Sequence, residues 1–187
     1  MILTFLAYFR ERMRPAVFGP VVLLLTIATC WSAHALNLSG FACALILMTL
    51  IVAQFRLWDD LADRERDRAT HPDRVLVRAK PISFQLLTVA LAAAGLGAAW
   101  FFGGSRPFLA LASLDAVFAV LYALVRPHLG VAVWQYPVLL SKYPAFATVV
   151  ALSVGGPTVG RTVGTALLIY GAAQAYEALH SRTASSR

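Results

Sequence analysis

Long apolar runs separated by short polar connectors dominate the chain. Six runs approach the roughly 20 residues that a helix needs to cross the hydrocarbon core of a bilayer. They cover residues 16–35, 40–58, 81–102, 108–125, 131–154 and 163–179. Continuous hydrophobicity of this length is typical of transmembrane helices, which satisfy their own backbone hydrogen bonds. The pattern therefore predicts an all-α fold, a polytopic transmembrane bundle of about six helices.

The segment before the first run has a different pattern. Phe5 and Phe9 occur together with Arg10, Arg12 and Arg14, which is typical of an amphipathic helix lying on a membrane surface. The predicted organisation has three parts: a surface helix at 1–15, a single transmembrane domain at 16–180 that contains a polar loop at 56–80, and a tail at 181–187.

Composition supports membrane residence. The chain is 59% apolar and 13% charged, whereas soluble domains are about half apolar and a quarter charged. Its net charge of +7 does not indicate nucleic-acid binding, because the basic residues lie in connectors and no nucleic-acid motif is present. Thirteen of the sixteen basic residues fall on one side if the N-terminus is cytoplasmic. The positive-inside rule then predicts an integral protein of the bacterial inner membrane with both termini and the 56–80 loop cytoplasmic.

Carboxylates are concentrated where the second run ends. At about 100° per residue, Asp59, Asp60, Asp63 and Asp67 share one face of a continuing helix, and Glu65 lies on the opposite side. Like charges repel at this spacing, so the cluster needs arginine side chains or a bound metal. Oxygen ligands suit Mg²⁺, which commonly bridges carboxylates to phosphate. The alternative is an ordinary charged loop whose six acids are neutralised by seven interleaved basic residues.

The stretch Asp59 to Asp67, with the following His71-Pro72-Asp73-Arg74 turn, resembles the first aspartate motif of the UbiA family of intramembrane prenyltransferases. That motif reads N-D-x-x-D-x-x-x-D, and Asp59 stands in place of the Asn. The resemblance implies that Mg²⁺ holds the diphosphate of an isoprenoid donor in this place. It implies Asp60, Asp63 and Asp67 as metal ligands, with Asp60 and Asp63 catalytic.

A second similarity involves the fourth and fifth runs. Tyr122 and Arg126 resemble the family's Tyr-x-x-x-Lys/Arg signature, and the polar positions of the fifth run include Lys142. Together with Asp59, these three residues are expected to bind the donor. The alternative for Arg126 is a topology anchor at the membrane surface. The family's second aspartate motif has no counterpart, because Tyr176 to Ser181 occupy the corresponding place.

Two charges are predicted inside the bilayer. Asp115 lies eleven residues before Arg126, and Lys142 lies eleven residues after Val131, about 16 Å along a helix in each case. Isolated charges at that depth cost several kcal/mol. We therefore expect the two side chains to pair or to line one polar cavity.

The sequence thus predicts a Mg²⁺-dependent prenyltransferase that binds an isoprenoid diphosphate and passes its prenyl group to a lipophilic or aromatic acceptor. The alternative is a non-catalytic membrane subunit of a larger complex that binds lipid, quinone or pigment. In a third possibility, a second copy or a partner chain supplies the absent half-site.

Overall fold

The computed structural model describes residues 2–125, 139–156 and 159–185, and these residues form helices without any strand. A π-helical turn, Leu121–Val125, extends the seventh helix. Within the described ranges the α-helices are α1 Ile2–Arg12, α2 Pro15–Ser32, α3 Leu38–Ala62, α4 Arg64–Thr70, α5 Val75–Arg78, α6 Pro81–Gly103, α7 Ser105–Val120, α8 Lys142–Val154 and α9 Val159–Ser185.

Four helical segments are long and apolar enough to cross a membrane, as expected of an integral membrane protein. They are α2, α3, α6 and Ser105–Leu124, which joins α7 to the π-helical turn. The fifth and sixth predicted spans contain shorter apolar helices, Lys142–Val154 and Val163–Ala172. The count of six spanning helices is therefore not reached among the described residues, and 131–138 of the fifth span lie outside them.

Local sequence explains where the long helices begin. Pro15 and Pro81 open α2 and α6, because proline fixes a helical φ and its missing N–H has no partner in the first turn. Asn37 caps α3, and its side chain accepts a hydrogen bond of 2.7 Å from the Gly40 amide. Gly104, at φ 77°, separates α6 from α7, a left-handed conformation that favours glycine.

Helix α3 is the centre of the bundle and packs against α2, α6 and α8. Leu47, Met48 and Ile51 have no exposed surface. Phe55 packs against Phe118 of α7 and Phe146 of α8, with ring centroids 5.2 and 4.8 Å apart. Aromatic pairs at these distances add stabilisation beyond the area they bury, and they fix α3 between its neighbours.

Helices α1 and α5 cover the end of the bundle where α3 ends, called here the aspartate end after Asp59, Asp60, Asp63 and Asp67. Tyr8 of α1 is fully buried in an apolar cluster with Leu57, Leu76 and Phe84. Its ring lies 5.1 Å from that of Phe84, centroid to centroid. The N-terminal helix is thus part of the folded bundle at this end.

Candidate functional site

The four aspartates line one pocket of about 420 Å³ at the aspartate end. Helix α3 ends at Ala62, Asp63 forms a single-residue junction, and α4 begins at Arg64. The junction keeps helical hydrogen bonding, since the Asp67 amide donates to the Asp63 carbonyl at 2.9 Å. The helical course predicted from the spacing therefore holds nearly unbroken, and Glu65 is not among the pocket residues.

Asp60 is the most enclosed carboxylate of the pocket, with 3% of its surface exposed. Arg12 of α1 donates to both oxygens, from Nε to Oδ2 at 2.9 Å and from Nη2 to Oδ1 at 2.5 Å. Tyr8 donates to Oδ2 at 2.9 Å, and Arg56 lies 3.5 Å from Oδ1. A bidentate arginine contact of this kind is strong and geometrically specific.

The contacts with Asp60 change the pKa values of Tyr8 and Arg12, its two partners from α1. Burial raises the pKa of Tyr8 above its ordinary value, and the neighbouring Asp60 charge adds to the effect. The hydrogen bond to Asp60 raises the pKa of Arg12. Both groups therefore keep their protons, and the network is a neutral phenol and a guanidinium on one carboxylate.

Asp59 is held by two residues that follow it by more than sixty positions in the chain. Lys142, at the first position of α8, donates from Nζ to Oδ2, and Tyr122 in the π-helical turn donates to Oδ1. Lys142 is only 4% exposed, so the lysine and the aspartate compensate each other's charge where water is scarce. Three predicted donor-binding residues, Asp59, Tyr122 and Lys142, are thus brought together.

The remaining two aspartates have partners nearby in the chain. Asp63 lies 3.3 Å from Arg66, and Asp67 pairs with Arg74. The alternative of a self-neutralised loop therefore describes this part of the structure. It does not describe Asp59 and Asp60, whose partners Lys142 and Arg12 come from distant segments.

The pocket carries opposite charges in nearly equal number. Its ionic residues are four aspartates and five cations, with His71 beside them: Asp59, Asp60, Asp63, Asp67, Arg12, Arg56, Arg66, Arg74 and Lys142. The carboxylate oxygens are the type of donor that Mg²⁺ prefers. Among the described residues, however, no three Asp, Glu, His or Cys side chains converge as a metal-binding group. The predicted ligand set Asp60, Asp63 and Asp67 shares the pocket without forming an assembled cage.

Two mostly apolar cavities adjoin the pocket, and together they are called here the apolar groove. A cavity of about 360 Å³ shares Arg12, Arg56, Asp59, Lys142 and Tyr143 with the pocket, and its other lining side chains are apolar ones of α2, α3 and α8. A further cavity of about 620 Å³ between α2, α8 and α9 also reaches Arg56 and Tyr143. Tyr143 therefore lies at the junction of a charged pocket and an apolar groove.

The expected pairing of Asp115 with Lys142 is wrong. Lys142 binds Asp59, and Asp115 accepts a hydrogen bond of 2.7 Å from Nε2 of Gln54. Asp115 lines none of the three cavities above. The estimate of depth failed because Lys142 does not lie in the middle of a helix: Ser141 forms a turn and α8 starts at Lys142.

Comparison of the chain with family models, curated proteins and solved structures finds no match. The likeness to UbiA prenyltransferases accordingly rests on the two sequence similarities, the motif around Asp60 and the pair Tyr122 and Arg126. Arg126, the other predicted donor-binding residue, lies outside the described residues.

Sequence reasoning missed the two residues of α1 that bind Asp60. Tyr8 and Arg12 were assigned to a surface helix, where arginines usually serve as topology determinants. The only available signal was their spacing, since residues four apart share a helix face. Nothing in the sequence connected that face to Asp60.

Proposed function

We propose that this protein binds an isoprenoid diphosphate at a membrane surface and, as in UbiA-type prenyltransferases, transfers the prenyl group to a lipophilic or aromatic acceptor. One observation carries the proposal: the charged pocket of four aspartates and five cations opens at Tyr143 into an apolar groove. An amphiphile with a charged head and a hydrocarbon tail matches this arrangement. The acceptor and any partner chain or second copy stay predictions.

The orientation proposed from the basic residues places the aspartate end in the cytoplasm of a bacterium, with the bundle in the inner membrane. Arg56, Arg66 and Arg74 line the pocket at this end, in agreement with the positive-inside rule. A soluble diphosphate head would then enter from the cytoplasm while the tail occupies the groove.

The pocket residues suit stabilisation of a departing diphosphate. Cations aimed at the leaving group lower the barrier because negative charge accumulates there as the carbon–oxygen bond breaks. Arg12, Arg56 and Lys142 border both the pocket and the groove, so these cations lie nearest the place where that bond would sit. The Tyr143 ring lies at the same junction, and an aromatic face there would favour the developing allylic cation.

The experiment is binding of labelled diphosphates to the purified protein in detergent, with Mg²⁺ and with a chelator. Inorganic, geranyl and farnesyl diphosphates separate the contribution of the head from that of the tail. If the tail enters the groove, affinity should rise at least about tenfold per added isoprene unit, because each buried methylene contributes about 0.8 kcal/mol. Equal affinity for all three probes would contradict the proposal.

Matched variants locate the two parts of the site. Asp63→Asn changes a pocket carboxylate that is 25% exposed, whereas Glu65→Gln changes an exposed acid outside the pocket. Only Asp63→Asn should weaken Mg²⁺-dependent binding. Ala28→Phe should abolish the dependence on tail length because Ala28 lines the groove, and Ala90→Phe, on the exposed surface of α6, should leave it unchanged.

The non-catalytic subunit remains the second candidate. Its specific support is that Asp59, Asp60 and Asp67 each have a cationic partner already. A pocket of this kind binds an anionic headgroup through arginine without a metal. Binding that is equally tight with Mg²⁺ and with chelator, and that phospholipid displaces, would favour this candidate over a transferase.

A further inference from the structure

Gln54 and Asp115 form a polar pair in the membrane-spanning part of the bundle, and two of their buried oxygen atoms lack hydrogen bonds. Gln54 of α3 is fully buried, and its Nε2 donates to Oδ1 of Asp115 of α7 at 2.7 Å. The other two polar atoms of the pair, Oε1 of Gln54 and Oδ2 of Asp115, are buried and have no partner among the described residues. Buried polar groups without partners are rare, since each costs about 1–3 kcal/mol.

The two unmatched atoms are both acceptors if Asp115 is ionised. A carboxylate has no proton to donate, and the Gln54 carbonyl oxygen has none either. If Oδ2 carries a proton, Asp115 becomes the donor that Oε1 of Gln54 lacks. A carboxylic acid and a carboxamide are then complementary, with one N–H donating in one direction and one O–H in the other.

Among the described residues, no cation is available to pair with an ionised Asp115. Helix α6, which packs against both α3 and α7, contains no charged residue. Arg106 lies at the start of α7, nine residues away, and Lys142 of α8 is bound to Asp59. On α3, Arg56 and Asp60 lie beside each other at the aspartate end. An unpaired carboxylate at this position would cost several kcal/mol in hydrocarbon.

We propose that Asp115 is a proton-binding site within the membrane, holding a proton on Oδ2 at neutral pH and donating it to Oε1 of Gln54. The site takes a proton and no other ligand. Nearer the aspartate end, Phe55 packs against Phe118 of α7, and Asp59 binds Tyr122 of the π-helical turn. The bound proton thereby helps to set the register that brings the Tyr122 hydroxyl to Asp59.

Infrared spectroscopy of the purified protein tests the protonation state directly. At neutral pH the wild type should show the carbonyl band of a protonated carboxylic acid, shifted in D₂O, and Asp115→Asn should lack that band. An identical acid region in the two spectra would overturn the proposal, because Asp115 would then be ionised.

Thermal unfolding gives a second, independent readout. Asparagine offers one donor and one acceptor to Gln54, so Asp115→Asn should keep the melting midpoint of the wild type. Asp115→Ala leaves Gln54 without partners and should lower the midpoint on the order of 5 °C. A midpoint for Asp115→Asn as low as that of Asp115→Ala would overturn the proposal, since the charge itself would then be required. If Asp115→Ala fails to fold, the comparison of wild type with Asp115→Asn still decides.

Discussion

Arg12 and Asp60, forty-eight residues apart in the chain, form the contact that joins the N-terminal helix to the aspartate motif. The guanidinium engages both carboxylate oxygens, and the aspartate side chain is only 4% exposed. A residue that the motif marks as a metal ligand is thus also the anchor of α1. Any cation that binds Asp60 must share the carboxylate with Arg12 or displace it.

Removal of the arginine should therefore loosen α1. Arg12→Gln leaves a buried carboxylate with weaker partners, and hydrogen bonds to charged groups contribute about 1.5–3 kcal/mol. We expect a stability loss of about 2 kcal/mol, measured by thermal unfolding in detergent, and faster proteolysis within α1. Arg10→Gln is the matched control, because Arg10 is exposed on the same helix; similar losses in both variants would contradict the anchoring role.

The pair of buried Lys142 and half-buried Asp59 should show strong coupling. Either Asp59→Asn or Lys142→Met leaves one partner uncompensated, which costs about 3–5 kcal/mol in buried pairs. The double variant should lose much less than the sum, as a double-mutant cycle of unfolding free energies would show. The exposed pair Asp73–Arg78 is the control, and its coupling should stay below about 1 kcal/mol. Additive effects at Asp59 and Lys142 would show that the pair is not formed.

Tyr8 should make stability fall in strongly alkaline solution. Because the folded-state pKa of Tyr8 is raised above 10, the unfolded value, the folded state retains the proton longer than the unfolded state. The stabilisation is fully present below about pH 10 and is lost as pH rises from there toward the folded-state pKa. Tyr8→Phe should flatten this part of the pH profile of the melting midpoint; a slope equal to that of the wild type would contradict the assignment.

Gly103 should tolerate no side chain. A Cβ at this position would lie 2.6 Å from Cα of Ser153 and 2.7 Å from Cγ of Pro107, so α6 and α8 would have to separate. Gly103→Ala should destabilise by about 1–3 kcal/mol, as overpacking usually does. Gly97→Ala, with no atom within 4 Å of the added carbon, should be neutral or slightly stabilising. Equal unfolding midpoints for the two variants would show that the helices do not approach so closely.

The spanning helices and the shared face of the aspartates could be predicted because both depend on local periodicity. Apolar length alone located α2, α3, α6 and α7, and the spacing from Asp59 to Asp67 placed four carboxylates in one pocket. Long-range partners could not be predicted in the same way. Depth along a helix does not show which way a side chain points, so the partner predicted for Asp115 is wrong. The predicted position of Lys142 is wrong because hydropathy does not show where α8 begins.

The docking of α1 also constrains how the protein is made. The partners of Arg12 and Glu11 follow them by 48 and 64 residues, at Asp60 and at the Val75 amide. At a synthesis rate of about 5–20 residues per second, these partners emerge about 2–13 s after α1. During biosynthesis α1 must therefore remain undocked until α2 and α3 have been inserted. Arg12 can bind Asp60 only after α3 has been completed.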